Sequence, residues 1–231
     1  MKLRTLAALP FALAASFSNA ANISVEITNL THSIFFTPIL VTAHTADNHL
    51  FQAGTAASPE LQAMAEGGDI SGLVATADSI GAVSAENPAA GLLGPSSTAM
   101  AEMDTGANDR LTVTAMVLPS NDGFVGLDAW EIPSEAGTYT LYLNAYDAGT
   151  EANDELIVDG SGMPGIAGIP ANPGGNGGTG GTGVTSSESN TTVHIHRGVL
   201  GDAESAGGSS DLDSRVHRWL NPIAKITITV N

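Results

Sequence analysis

Two acidic turns follow strand-like segments of the chain and carry oxygen atoms that suit a hard cation. The first turn spans residues 119–123 and contains Asp122, and the second spans residues 147–151, with Asp147 and Glu151 at its ends. Calcium binds about six to eight oxygen atoms from carboxylates, backbone carbonyls and water. A tight second turn would let both of its carboxylates face one point. Turns of this composition are also common without a metal, because Asn, Asp and Gly favour turn geometry. The spacing alone leaves both interpretations open.

The segments before the two turns predict the strands that position them. Apolar and polar residues alternate in Leu111–Leu118 and in Thr138–Asn144, which is typical of β-strands. Neighbouring antiparallel strands would carry the two turns to opposite ends of a sheet, whereas strands with the same direction would carry both to one edge. We expect the second arrangement, in which Asp122 lies beside the turn at residues 147–151.

The remaining segments predict an all-β protein, an antiparallel β-sandwich with one or two short helices in its loops. Further strand-like segments lie at residues 22–29, 34–41, 97–103, 191–196 and 223–230. Helices are expected at residues 58–66, where Ser58 and Pro59 form a helix start, and at residues 69–80. Loops are expected at residues 81–97, 160–183 and 201–210. The loop at residues 160–183 is rich in Gly, and we expect it to be flexible.

The N-terminal segment has the features of a secretory signal peptide. A basic start, an apolar run at residues 6–17 and a small-residue cleavage site at residues 18–20 predict a signal peptide over residues 1–20. The apolar run is too short to span a membrane. We therefore expect residues 21–231 to form one exported domain that resides in the periplasm, at the cell surface or outside the cell.

The chain is strongly acidic, with 24 Asp and Glu residues against 7 Lys and Arg residues and a formal net charge of −17. Nucleic acids and anionic membranes are bound through Lys and Arg patches, so we expect neither as a partner. The charge is compatible with bound cations, and it also keeps an exported protein soluble. The sequence has no cysteine, which excludes disulfides and thiolate metal sites. Stability then depends on the core and on any bound metal.

The histidines give two weaker hypotheses. His194 and His196 lie two residues apart, so a strand would place both on one face. Such a pair binds zinc or copper when a third ligand such as His217 reaches it, but it is more often the polar face of an edge strand. His44 and His49 flank an Asp in a loop, yet no Gly-x-Ser-x-Gly nucleophile motif is present. Ordinary loop hydrogen bonds are therefore favoured over a catalytic triad.

Three segments together resemble the spondin domain. They are residues 35–38 (FFTP), residues 119–127 (PSNDGFVGL) and residues 147–151 (DAGTE). The second and third segments are fairly specific as a pair, and the resemblance covers most of the chain after the signal peptide, roughly residues 22–230. Spondin domains are the N-terminal modules of F-spondin-type matrix proteins and also occur as stand-alone exported bacterial proteins.

The resemblance implies a C2-like β-sandwich with a calcium ion bound by loop carboxylates. Carried over onto this chain, the ligands of Ca²⁺ are Asp122, Asp147 and Glu151. Glu151 departs from the family pattern, because animal members have Asp at this position, and its extra methylene changes the ligand geometry. This chain also lacks the cysteines of the animal domains.

The sequence and the resemblance together predict an exported, non-enzymatic, calcium-binding module that acts in adhesion or in a matrix. Its expected partner, besides calcium, is an extracellular protein, a glycan or an envelope component. Two alternatives stay open: a hydrolase that uses calcium or the histidines, and a purely structural surface protein. A pocket in which a nucleophile lies within hydrogen-bond reach of a base would indicate the hydrolase.

Overall fold

The computed structural model describes residues 21–175 and 177–231. The predicted signal peptide at residues 1–20 lies outside the described residues. Within them, ten β-strands form a mostly antiparallel sheet that curves into a nearly closed sandwich, and two short helices connect two of its strands. The predicted fold class, an antiparallel β-sandwich with one or two short helices, is confirmed.

The strands and helices are numbered in chain order. The first half of the chain contains β1 (Asn22–Asn29), β2 (Phe35–Phe36), β3 (Leu40–His44), α1 (Pro59–Gly67), α2 (Ser71–Ser79), β4 (Val83–Glu86) and β5 (Thr98–Asp104). The second half contains β6 (Arg110–Leu118), β7 (Gly123–Glu131), β8 (Gly137–Asp147), β9 (His194–Ile195) and β10 (Ala224–Val230).

The directions of three neighbouring strands bring the two acidic turns together. The strand order is β4-β3-β6-β7-β8-β10-β1-β5, with β2 paired to β6 and β9 paired to β8. Because β7 is antiparallel to both β6 and β8, β6 and β8 run in the same direction. The turns that follow them therefore lie at one edge of the sheet. Gly123, the first residue of β7, pairs with Asp147, the last residue of β8. At the other side of the fold, the edge strands β4 and β5 contact each other.

Two apolar clusters fill the structure. The larger cluster lies inside the sandwich and includes Val25, Val113 and Ile226. The smaller cluster lies between the sheet and the helices and includes Met116 and Phe124. Successive residues of β6 belong to different clusters, so β6 is buried on both faces. This burial fixes the position of the end of β6, where the first acidic turn begins.

Both helices form where the sequence predicts them. The Ser58 side chain caps α1 by accepting a hydrogen bond from the Leu61 N–H, and Pro59 occupies the first turn. The helix ends at Gly68, whose φ of 73° is a left-handed conformation that glycine adopts without strain. Each helix has nine residues, and among the described residues none has the length and apolarity of a membrane span.

Several predicted segments differ in extent from the structure. The run at residues 34–41, predicted as one strand, is split into β2 and β3, because Pro38 lacks a backbone N–H for sheet pairing. The predicted loop at residues 81–97 is wrong in part, since it contains β4, which pairs with β3. The strand predicted at residues 191–196 is only two residues long, because β9 pairs with β8 alone.

The Gly-rich segment at residues 160–183 contains no strand or helix in its described part. One of its attachments to the domain is the carboxylate of Asp211, which accepts hydrogen bonds from the N–H groups of Ile157, Thr179 and Gly181. One carboxylate thus holds both ends of the segment against the C-terminal loops. The flexibility of the segment stays a prediction.

Candidate functional site

The first acidic turn is held in shape by its own side chains. Ser120 Oγ accepts a hydrogen bond from the Gly123 N–H at 3.1 Å. Asn121 Oδ1 accepts another from the Glu155 N–H at 3.1 Å, which attaches the turn to the segment that follows the second turn. The backbone of Asp122 lies between these two anchors, so its position is fixed by both.

The second acidic turn is closed by Asp147 and depends on a glycine. Asp147 Oδ1 accepts a hydrogen bond from the Gly149 N–H at 2.8 Å. Gly149 has a φ of 71°, and a Cβ at this position would lie 2.7 Å from the Asn190 carbonyl oxygen. Only glycine fits such a position without strain. The Ala148 N–H donates to the Asp122 carbonyl oxygen at 3.1 Å, so the backbones of the two turns are also bonded to each other.

The carboxylate of Asp122 connects the two turns a second time. Asp122 Oδ2 accepts hydrogen bonds from the Thr150 N–H at 2.8 Å, the Thr150 hydroxyl at 3.2 Å and the Glu151 N–H at 3.3 Å. The residue is fully buried, and its Oδ1 atom has no hydrogen-bond partner among the described residues. One oxygen of Asp122 therefore organises the second turn, while the other is a buried acceptor without a donor.

The second oxygen of Asp147 faces a different set of groups. Asp147 Oδ2 accepts a hydrogen bond from Asn153 Nδ2 at 2.7 Å. His194 pairs with Asp147 across β8 and β9, and its Nε2 lies 3.7 Å from the same Oδ2 atom. Both oxygens of Asp147 therefore have donors nearby, which distinguishes this carboxylate from that of Asp122.

Glu151 lies at the far end of the second turn and contacts the Gly-rich segment. Glu151 Oε2 accepts a hydrogen bond from the Gly168 N–H at 2.7 Å. Its Oε1 atom is buried without a hydrogen-bond partner among the described residues. Asp122, Asp147 and Glu151 together are called the acidic edge below. Two of its three carboxyl groups each have one buried, unsatisfied oxygen.

Burial makes Asp122 and Glu151 hard to ionise. Loss of solvation, followed by the nearby charge of Asp147, raises the pKa of Asp122 to about 7. Loss of solvation raises the pKa of Glu151 to about 8, opposed by the Gly168 hydrogen bond and reinforced by the carboxyl group of Glu66. Near neutral pH, Asp122 and Glu151 therefore favour the protonated form unless a cation lies beside them.

The donor chemistry of the acidic edge fits calcium in part. Carboxylate oxygens, backbone carbonyls and the Thr150 hydroxyl are all oxygen donors of the type that calcium takes. A cation would also satisfy the free oxygens of Asp122 and Glu151. Among the described residues, however, no group of three or more His, Asp or Glu side chains is arranged to hold a metal ion. The three acids do not form a complete cage by themselves, so backbone carbonyls and water would have to supply the remaining ligands.

The histidine pair lies beside the acidic edge without forming a metal site. His196 is buried, its Nδ1 accepts a hydrogen bond from the Gly198 N–H, and burial lowers the pKa of the imidazole to about 4. The ring is therefore neutral at physiological pH. His217, the proposed third ligand, accepts a backbone hydrogen bond within its own turn. Asp147 Oδ2 lies 3.7 Å from His194 Nε2, but no group of three His, Asp or Glu side chains in the described part of the chain is placed to hold a metal ion. The zinc or copper hypothesis therefore stays a prediction.

The other histidines make ordinary hydrogen bonds. His44 Nε2 lies 2.7 Å from Thr112 Oγ1, and both side chains are buried. Thr112 Oγ1 also accepts a hydrogen bond from the Ala129 N–H at 3.1 Å. A hydroxyl group that is buried and bonded in this way is inaccessible to a substrate. His49 Nδ1 pairs with Asp128 Oδ1 at 2.7 Å on the surface. Neither histidine supplies the activated nucleophile that the hydrolase hypothesis requires.

Sequence reasoning missed the groups that hold the three acids in place. Thr150, Asn153 and Gly168 donate hydrogen bonds to the acidic edge. Thr150 and Asn153 could have been found, since both lie within six residues of Asp147 in the same turn region. Nothing in the sequence indicates Gly168, because a backbone N–H carries no residue-specific signal.

One family model matches the chain. The Spondin_N model matches residues 28–155, which is more than half of the chain. The matched part contains β2–β8 and both acidic turns, whereas β9, β10 and the histidine pair lie beyond it. No curated protein matches the chain. The extent of the family match shows that the chain belongs to the spondin N-terminal domain family.

Proposed function

We propose that this protein is an exported module that binds calcium at its acidic edge and acts in adhesion or in an extracellular matrix. Spondin N-terminal domains are extracellular, adhesion- or matrix-type modules and not enzymes. The family match supports an adhesive, non-enzymatic role, and the signal peptide predicted at residues 1–20 supports export. Within this role, the calcium ion orders the loops that present a binding surface.

The observation that carries the calcium proposal is the unsatisfied oxygen of Asp122. This oxygen, Oδ1, is buried between the two turns. The other oxygen of the same carboxylate, Oδ2, already accepts hydrogen bonds from the backbone of the second turn. A buried acceptor without a donor costs about 1–3 kcal/mol. A cation at this oxygen would remove that cost, and the carbonyl oxygens of the turns, which lie outside the sheet, would complete its coordination.

The proposed role of calcium is electrostatic and local. The charge of Asp147 raises the pKa of Asp122, and the charge of Asp122 in turn raises the pKa of Glu151, so the three acids repel one another when they are ionised. A divalent ion converts this repulsion into attraction. The two turns and the Gly-rich segment, which Glu151 reaches through Gly168, would then be ordered together.

The expected partner is an extracellular protein, a glycan or an envelope component. The net charge of −17 argues against nucleic acid and against anionic membranes, since neither is attracted to an acidic surface. A bound calcium ion would lower the negative charge at the loop edge and make that edge the most favourable place for an anionic or hydroxyl-rich ligand.

We expect calorimetric titration of the purified protein with CaCl₂ to show saturable binding that Asp147→Ala removes. Asp147 accepts hydrogen bonds on both of its oxygens, so alanine removes one proposed ligand and also opens the second turn. Asp47→Ala is the matched control, because Asp47 is exposed and far from both turns in the chain. Absence of binding heat in the parent protein, or equal binding by parent and Asp147→Ala, would contradict the calcium site.

The raised pKa values predict an unusual pH dependence of stability. Asp122 and Glu151 titrate near 7 and 8 in the folded protein, against about 4 in an unfolded chain. Between these values the two groups bind more protons in the folded state than in the unfolded state, so their contribution to calcium-free stability is present at low pH and is lost as the pH rises through about 8. The buried imidazole of His196, with its pKa lowered to about 4, acts in the opposite direction below about pH 6.5. We therefore expect the urea midpoint in chelator to fall between about pH 6.5 and pH 9.

Calcium should reduce this fall, because it binds the ionised carboxylates and is released as they take up protons. The Glu151→Gln variant, which cannot ionise, should show a flatter profile in chelator than the parent protein. A calcium-free midpoint that rises over this pH range would mean that the acids are already ionised at low pH, against the burial described above.

A further inference from the structure

A cavity of about 330 Å³ lies next to the acidic edge. Most of the residues that line it follow the part of the chain that the family model matches. Its walls include Asn153, Val184, Arg197 and Leu200. Asn153 belongs to both places, since its side chain donates to Asp147 and also lines the cavity. The cavity has the volume of a small ligand site, about 300 Å³ or more.

Arg197 gives this cavity a positive charge in an acidic protein. Its side chain is exposed, and among the described residues it has no ion pair within 4.0 Å. Arg110 and Arg215, by contrast, pair with neighbouring aspartates at 3.3 and 2.7 Å. The charge of Arg197 reaches the Glu188 carboxylate, but the two groups are not within ion-pair distance. A guanidinium without a direct ion pair is suited to bind a carboxylate from outside, through two parallel hydrogen bonds.

Glu155, the acidic residue of the cavity wall, does not compete with an outside carboxylate for Arg197. Glu155 is buried, and its Oε2 atom accepts hydrogen bonds from the Gly201 N–H at 2.8 Å and from the Ser210 hydroxyl at 2.7 Å. Its Oε1 atom accepts a hydrogen bond from the Leu200 N–H. Both oxygens are therefore occupied by donors of the C-terminal loops, so Glu155 does not form an ion pair with Arg197.

The rest of the wall indicates the chemistry attached to the carboxylate. Val184 and Leu200 contribute apolar surface, and Leu200 is 62 % exposed, an unusual exposure for a large apolar side chain at the mouth of a cavity. Thr185 and Asn153 add hydroxyl and amide groups that can bond to a peptide group. An apolar body with a terminal carboxylate and one peptide group matches these walls.

We propose that this cavity binds the C-terminal carboxylate of a peptide chain whose last side chain is apolar, with Arg197 holding the carboxylate and Val184 and Leu200 contacting the side chain. The proposal rests on the adhesive function proposed above and names the chemistry of a partner: the free C-terminus of a protein. The cation of the acidic edge is not a ligand of this site.

The test uses N-acetyl-leucine as the probe and ¹H–¹⁵N spectra of the whole mature protein as the readout. We expect saturable shifts of the Gly198 and Thr185 amides and of the Asn153 side-chain amide. N-acetyl-leucinamide differs from the probe by the loss of the negative charge, so it should bind about tenfold more weakly or worse. Arg197→Gln should cause a similar loss of affinity for N-acetyl-leucine.

Arg218→Gln is the matched control, because Arg218 is an exposed arginine without an ion pair among the described residues and is not part of the cavity wall. Its affinity for the probe should stay within about twofold of the parent.

Glucuronate carries its carboxylate on a hydroxylated ring, so it distinguishes the carboxylate of an acidic sugar from that of a peptide C-terminus. Tighter binding of glucuronate than of N-acetyl-leucine, or equal binding of the acid and the amide, would overturn the proposal.

Each titration is repeated in chelator and in excess calcium, which separates this proposal from that of the calcium site. Shifts that saturate in both conditions support the cavity even if no calcium binds. A protein that binds calcium but shows no saturable shift with the probe retains the acidic-edge proposal and loses this one.

Discussion

Asp122→Ala is expected to abolish calcium binding and to lower the free energy of unfolding by about 3 kcal/mol in chelator. The change removes the acceptor for two backbone N–H groups and one hydroxyl of the second turn. These donors lie in a buried region where water cannot easily replace the lost oxygen. Urea unfolding in chelator gives the stability, and calorimetric titration gives the calcium affinity.

Asp122→Asn is the matched control for this prediction. Asparagine keeps an oxygen that can accept from Thr150 and Glu151, but it lacks the negative charge. It should therefore retain most of the stability of the parent protein in chelator and still lose calcium binding. Parent-like calcium affinity in Asp122→Ala would remove Asp122 from the site. Equal stability losses for the two variants would show that the charge, and not the hydrogen bonds, holds the second turn.

Phe124→Ala is expected to lower the free energy of unfolding by about 4 kcal/mol, the largest effect of any single change proposed for this protein. Phe124 is fully buried below the first acidic turn. Its ring makes an edge contact with Phe51 at a centroid distance of 5.0 Å and stacks on Tyr146 at 5.6 Å. Truncation removes both contacts and leaves a cavity that the stiff sheet cannot fill. Urea unfolding of the parent and the variant measures the loss.

Tyr142→Ala is the matched control, because Tyr142 is also an aromatic residue on the same sheet but is 62 % exposed. It should lower the free energy of unfolding by less than about 0.5 kcal/mol. A loss below about 1.5 kcal/mol for Phe124→Ala would mean that the second apolar cluster is loosely packed, and that it does not support the acidic edge as described.

The fold could be predicted from the sequence where one face of a strand is buried. Clean alternation predicted β1 and β8, and the cap residues around Ser58 predicted α1. In β6, which is buried on both faces, the alternation of apolar residues with Thr and Met still indicated the strand. Alternation fails for β7, because its first residues are buried on both faces and two of its residues are Gly, so no period appears. It fails for β4 because this strand is four residues long and lies within an Ala- and Gly-rich segment.

The candidate site was predictable to the extent that strand direction determines it. β6 and β8 run in the same direction, so Asp122 and Asp147 had to lie at one edge once β7 was placed between them. The contacts that decide the state of each acid were not predictable. They come from Asn153, from Gly168 and from β9, whose positions depend on long loops and not on any sequence period. The difference in environment between Asp122 and Asp147 is therefore visible only in three dimensions.

The contact between β4 and β5 has a consequence for how this acidic domain resists aggregation. These are the two strands at which a sheet of this kind could recruit a second chain and grow into fibrils. The two edge strands lie against each other, and Glu86, Glu102 and Asp104 place negative charges along them. Both the contact and the charge oppose pairing of these edges with a second chain. The domain can thus reach a high local density without polymerising through its backbone.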